Sequence, residues 1–147
     1  MLDATDIHVS YGPVPAVRGV SLHVGQGEAV ALLGRNGAGK TTTLRALAGL
    51  NRVSTGTIHL DGVDITRLPA VKRVGLGIAL APEGRGMFPG FTVRDSMAMG
   101  AYHRRLSRRQ LDEEIDRVTE RFPRLRERLR QTSGSLSGGE QQMLAVA

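Results

Sequence analysis

A chain of 147 residues, 40% of them apolar, is long enough for one domain with a sizeable core. It has no cysteine, which excludes a disulfide framework and a Cys-based metal site, and no stretch approaches the ~20 apolar residues that span a bilayer. The net charge of +6 comes from 18 Arg and two Lys, and much of it lies between Arg104 and Arg130. There Asp112, Glu113, Glu114, Asp116, Glu120 and Glu127 interrupt it at helical spacings, which fits a salt-bridged helix surface better than a nucleic-acid or lipid patch.

The N-terminus has no basic segment followed by an apolar run, so no signal peptide is expected. "DATDIHVSYG" (3–12) and "AVRGVSLHVGQGEAVALLG" (16–34) alternate in polarity, carry Val and Ile, and are punctuated by Gly12, Pro13, Pro15, Gly25 and Gly27; both read as β. Within the second, "EAVALLG" (28–34) is a continuous apolar run, which predicts a buried strand of a parallel sheet. A helix is predicted over 41–50, with Leu44, Leu47 and Ala48 on one face and Gly49 as its stop. "TGTIHLDGVDI" (55–65) reads as a β-hairpin turning at Asp61-Gly62, and 69–75 as a short helix. "LGIALAPEG" (76–84) reads as a second buried strand running into a loop. From Thr92 the pattern turns helical over 92–101, about 107–121 and 123–131. No linker, repeat or low-complexity tract separates these parts, so one domain with subregions is expected.

Between the first buried run and its helix stands "GRNGAGKT" (34–41), which fits G-x-x-x-x-G-K-[ST]. Glycines let the backbone curl until consecutive N–H groups face inward as an anion nest, and the following helix adds its N-terminal partial charge. Lys40 is placed to reach β- and γ-phosphates and the Thr41 hydroxyl to ligate Mg²⁺. The competing reading is a Gly-rich turn with a chance lysine; a strand before and a helix after argue against it. The loop alone predicts nucleotide binding without choosing among kinases, GTPases, helicases and transport ATPases.

The end of the chain makes that choice. "LSGGEQQ" (136–142) resembles the signature motif of ATP-binding cassette (ABC) ATPases, and with the phosphate loop upstream the resemblance covers essentially all of the sequence. "VSYG", "GRNGAGKTTTLRALAGL", "APEGRGMFPGFTVRDSMAMGAY", "RFPRLRERLRQ" and "LSGGEQQMLAVA" are most similar to the ATPase subunits of branched-chain amino acid importers. The fold implied is an α/β P-loop NTPase of the ABC type: an antiparallel β subdomain (1–30 and 55–65), a parallel-sheet P-loop core (28–50 and 76–84) and a helical subdomain with the signature (92–140). The cofactors implied are ATP and Mg²⁺. The implied partners are permease transmembrane subunits and a second ATPase subunit in a head-to-tail dimer, on the cytoplasmic face of the membrane, with no nucleic acid expected.

The same resemblance assigns residues. Tyr11 would stack on adenine, although on residues alone it is equally a strand-end aromatic. Gly34, Arg35, Asn36, Gly37, Ala38, Gly39, Lys40, Thr41 and Thr42 would hold the phosphates, with Thr41 on the metal. Ser137, Gly138, Gly139 and Glu140 would meet the γ-phosphate bound by the partner's loop; "SGSLSGG" also reads as a flexible loop capping a helix, and the two readings are compatible. Glu83 stands where most of the family carries a metal-sensing Gln, and otherwise reads as a solvated loop residue. Met87, Phe88 and Phe91 are either permease contacts or packing, packing being expected for two of the three.

The resemblance also implies a later strand ending in Asp, a catalytic Glu and a switch His. No such segment lies within the 147 residues, and His8, His23, His59 and His103 all precede the signature. The expectation is a C-terminally truncated cassette without the Walker B half, poorly stable alone, whose complete form hydrolyses ATP to drive uptake. The alternatives are a non-hydrolysing nucleotide-binding or capping module, and a soluble ABC protein acting on ribosomes or DNA, for which only the arginine-rich stretch speaks.

Overall fold

The structure is a computed structural model that describes residues 1–81 and 88–147. It divides into two compact units, Met1–Leu80 and Ala81–Ala147, each with an apolar core of its own.

The first unit is built on an antiparallel sheet in the order β2-β1-β3-β4, formed by β1 (Leu2–Tyr11), β2 (Val14–Val24), β3 (Thr55–Leu60) and β4 (Val63–Asp64). Ala4, Ile7, Val9, Val17 and Ile58 point into the core. The spacing from Ala4 to Ile7 breaks strict alternation because the ladder is irregular there: Asp6 has φ 49. Opposite it Gly56 has φ 90, and a Cβ at that position would lie 2.3 Å from Asp6 O, so only glycine lets the strands meet. On the other face Asp3 pairs across to His23 and to His59, and His59 to Asp64. Imidazoles and carboxylates thus alternate across all four strands, with His23 Nδ1 2.5 Å from Asp3 Oδ1. The hairpin turns at Asp61 (φ 49) and Gly62 (φ 80), as expected; positive φ at both central residues is the type I′ turn that matches strand twist.

Helix α1 (Lys40–Leu47) buries Thr43, Ala46 and Leu47. The predicted face is corrected at Leu44, which is 45% exposed: Thr43, whose hydroxyl bonds back to Gly39 O, takes the inward position beside Ala46 and Leu47. Gly49, with φ 78, ends it as predicted. The Gly49 amide donates to Ala46 O (3.0 Å) and the Leu50 amide to Arg45 O (2.8 Å), a Schellman closure. Helix α2 (Ala70–Gly75) lies within the predicted 69–75 span.

Two further expectations fail. Residues 28–34 and 76–81 are not strands, and Val30 and Leu33 are 48% and 88% exposed. An apolar run becomes a strand only when a neighbour takes its N–H and C=O groups. Among the described residues none pairs with either segment. The rest of the predicted 76–84 strand lies outside the described residues.

The second unit is helical. Its helices are α3 (Val93–Gly100), α4 (Arg108–Arg121), α5 (Pro123–Arg126) and α6 (Gly138–Val146). Val93, Met97, Ile115, Leu125, Leu136 and Leu144 form the core. Thr92 caps α3, and Ser107 caps α4 through a capping box with Gln110. Only the last predicted helix shrinks, from 123–131 to the four residues of α5 followed by turns. Arg94, Arg104, Arg109, Arg117, Arg124, Arg126 and Arg128 all pair with carboxylates, the salt-bridged surface that the charge pattern suggested. Among the described residues no helix is long and apolar enough to cross a membrane.

Candidate nucleotide-phosphate and signature sites

The glycine-rich loop is built to expose amides. Gly37 (φ 84) and Gly39 (φ 87) both take left-handed backbone, and Gly39 is the N-cap of α1. A Cβ on Gly39 would sit 2.5 Å from Ala16 O, so the loop packs directly on β2. Thr43, buried under it, returns both its amide (2.8 Å) and its hydroxyl (3.0 Å) to Gly39 O. Lys40 Nζ donates to Gly34 O (2.7 Å) and Arg35 O (2.9 Å), which folds its charge over the loop. The first turn of α1 has no acidic side chain, so its intrahelically unpartnered amides and dipole face no carboxylate of their own turn. Arg35, Asn36, Gly37 and Ala38 are exposed, and Thr41 and Thr42 stand in the same first turn. Anionic oxygens and a hydroxyl-ligated cation suit this set of donors.

Tyr11 ends β1 and is 52% exposed. Its hydroxyl hydrogen-bonds the Thr42 side chain and accepts from Asn51 Nδ2 at 2.7 Å. Those two bonds, aided by Arg45, hold the phenol below its ordinary range. The aromatic is therefore tied to the first turn of the phosphate-loop helix, which sequence alone could not say.

Arg73 escaped the sequence reading altogether. It is 1% exposed, and its guanidinium donates to the carbonyls of Ala46 (2.8 Å), Leu47 (2.7 Å), Leu68 (2.9 Å) and Thr66 (3.0 Å). A cation thus closes the C-terminal end of α1, where the helix dipole is negative. Burial pushes its pKa down, with Asp64 opposing. The only signal was the Lys72-Arg73 pair inside the otherwise uncharged 69–81 stretch.

In the second unit Ser137 is the N-cap of α6. Glu140 Oε2 accepts from the Ser137 amide (2.9 Å) and hydroxyl (2.8 Å), a capping box. Glu140 Oε1 lies 2.9 Å from Arg128 Nε, an ion pair too bent to be a hydrogen bond. The Ser137 amide first, then its hydroxyl, then Arg128 and Arg124 hold the Glu140 carboxyl below its usual range. Gly138 and Gly139 are exposed, and a Cβ on either would meet no atom within 4 Å. Ser133, also missed, is fully buried. Its amide reaches Phe91 O (2.8 Å), its hydroxyl Phe88 O (2.7 Å), and its carbonyl accepts from Gln141 Nε2 (3.3 Å). Phe88 and Phe91 stack on each other with centroids 4.9 Å apart while remaining partly exposed. Glu83 and Met87 lie outside the described residues. Among the described residues no three His, Asp or Glu are grouped to hold a metal.

Fold and loop together are those of a P-loop ATP-binding cassette. Against known proteins, the family model for ABC transporters matches residues 17–147. The chain belongs to the ABC transporter family. It is 41% identical, over 99% of its length, to the high-affinity branched-chain amino acid transport ATP-binding protein BraG of Pseudomonas aeruginosa, and covers 62% of that protein. It is 34% identical to the probable branched-chain amino acid transport ATP-binding protein LivF of Archaeoglobus fulgidus, covering 61% of it. The chain thus spans less than two thirds of these relatives. Among solved structures, the ATP-binding subunit of an ABC transporter superposes with a TM-score of 0.80 at 26% identity, over 99% of this chain and 60% of that one. The fold is also that of a dimeric bacterial ABC transporter cassette, MJ0796, with a TM-score of 0.85 at 18% identity, over 99% of this chain and 67% of that one.

Proposed function

We propose that this chain carries the ATP cradle and the signature of an ABC importer ATPase, whose complete form couples ATP binding and hydrolysis to uptake of branched-chain amino acids. The observation that carries the reading is the loop at Gly34–Thr41: it opens a helix with no acidic first turn, under a lysine already turned toward it. The names of the BraG and LivF relatives support the solute class.

In this reading Gly34 to Thr42 would hold the phosphates, Lys40 would neutralise them, and Thr41 would offer its hydroxyl to Mg²⁺, whose chemistry when bound is charge neutralisation. Tyr11 lends its ring to adenine, held in place by Thr42 and Asn51. Ser137, Gly138, Gly139 and Glu140 form the signature that addresses the nucleotide of a second copy in a head-to-tail dimer; the MJ0796 cassette, of the same fold, is dimeric. Residues 1–30 and 55–65 serve as the β subdomain, 28–50 and 76–84 as the loop-bearing core and 92–140 as the helical subdomain. The proposed partners are permease subunits, and the place of work is the cytoplasmic face of the membrane.

Binding of a fluorescent ATP analogue to the chain tests the reading. Lys40→Ala is expected to weaken it by roughly tenfold to a hundredfold, the worth of a charged hydrogen bond. An unchanged affinity refutes the phosphate loop. Loss of labelled leucine uptake on deletion of the gene tests the solute; intact uptake refutes it.

A further inference from the structure

The signature helix poses an electrostatic problem. Glu140 lies within one hydrogen bond of the Ser137 hydroxyl, and its Oε2 holds both the amide and the hydroxyl of that serine. A carboxylate there suits the helix dipole, but it is a like charge beside any phosphate brought to Ser137. The other carboxylate oxygen faces Arg128.

Resting on the signature reading above, we infer that Arg128 is a positioning residue for it: by pairing with Glu140 it cancels the negative charge beside Ser137, so that the same helix start accepts an anionic phosphate.

The backbone makes this counter-ion a fixed one. Leu129 O accepts the Arg94 amide (3.0 Å) and Gln131 O the Val93 amide (2.9 Å), so the segment just after Arg128 is pinned to the start of α3. Arg128 NH1 donates to Gln131 Oε1 at 3.2 Å, which steers the guanidinium. Arg128 Nε is buried, makes no hydrogen bond and lies 2.9 Å from Glu140 Oε1, the one carboxylate that Arg128 pairs with among the described residues. Arg124, the other cation acting on Glu140, pairs instead with Glu127 at 3.4 Å. Arg128 adds to the forces holding the Glu140 carboxyl down, behind the Ser137 donors.

The test uses the full chain and two readouts. The first follows the Glu140 carboxyl carbon by NMR through an acid titration. Arg128→Gln is expected to move its midpoint upward, and an unmoved midpoint overturns the pairing. The second is self-association driven by ATP and Mg²⁺, measured by sedimentation. Arg128→Gln is expected to weaken it roughly fivefold, the upper range for a partly exposed ion pair. Glu140→Gln is expected to strengthen it, and once Glu140 is neutral the further loss of Arg128 makes no difference. A merely structural arginine would leave the double variant as weak as Arg128→Gln, and that result overturns the proposal. Arg128→Lys keeps the charge and is expected to recover most of the loss; if it associates as poorly as Arg128→Gln, the charge role fails even where Arg128→Gln has disturbed folding. No association in the parent chain, or none of it lost in Ser137→Ala, overturns the signature reading and with it this role. A Glu140 midpoint that still moves would mark that as failure of the site and not of the ion pair.

Discussion

Two glycines of the same loop separate conformational need from packing need. Gly37 and Gly39 share a left-handed backbone, yet a Cβ on Gly37 meets no atom within 4 Å while one on Gly39 strikes Ala16 O at 2.5 Å. Gly37→Ala should therefore cost only the left-handed strain, about 1–2 kcal/mol. Gly39→Ala should cost more, since backbone must move, and urea unfolding of the two variants decides. Equal costs would mean that the loop does not rest on β2. Arg73 is the second single residue on which the site depends. Arg73→Leu takes a donor from four carbonyls, two of them at the end of the phosphate-loop helix, where Ala46 O keeps the Gly49 amide, and should destabilise by about 2–4 kcal/mol. Arg73→Lys, with one ammonium for a fork of donors, should recover only part of it. A neutral Arg73→Leu would show that apolar packing replaces the network. Nothing in a one-dimensional pattern distinguishes such an arginine from a solvated one, because its acceptors come from residues 46, 47, 66 and 68.

At the scale of elements, what a local signal could specify was legible. The hairpin was written as Asp61-Gly62 and the end of α1 as Gly49, and the pairs Ser107 with Gln110 and Ser137 with Glu140, which the sequence reading passed over as capping boxes, carry the same kind of signal. Each is a contact between residues a few positions apart, so spacing encodes it. The capping box of α6 also sets a pH dependence. Its native Glu140 carboxyl titrates below the ordinary value, so the stabilisation it gives is complete above about pH 4.3 and is lost as pH falls through the lower native value. Glu114, held down first by the Arg104 hydrogen bond, and Asp64, held down first by the Thr66 hydroxyl, act in the same direction. Glu140→Gln keeps the box geometry without the charge and should flatten part of this acid limb, read by far-UV circular dichroism between pH 5 and 2. Ser137→Ala should cost about 1 kcal/mol at neutral pH. An unchanged acid limb in Glu140→Gln would remove the carboxylate from the account.

At the scale of the molecule, the misread segments share one cause. "EAVALLG" and "LGIAL" have the composition of strands covered on both faces, and composition records the environment a segment is suited to without supplying its neighbours. Helices satisfy their own backbone, so their pattern was enough; a strand needs a partner that no local pattern names. Leu33, Val30 and Leu76 are exposed in consequence, all in the first unit. Burying a leucine is worth roughly 1.5–3 kcal/mol, so this surface carries a large unspent drive toward any apolar cover. Two outcomes separate an exposed segment from a buried one. If residues 28–34 are uncovered in solution, Leu33→Ser changes stability by no more than about 0.5 kcal/mol, lowers binding of an apolar dye such as ANS and raises the concentration at which the chain precipitates. If they are a buried strand, the same substitution costs at least about 2 kcal/mol and leaves dye binding unchanged or higher. Urea unfolding and dye fluorescence on the same samples tell the two apart, and the exposed geometry predicts the first.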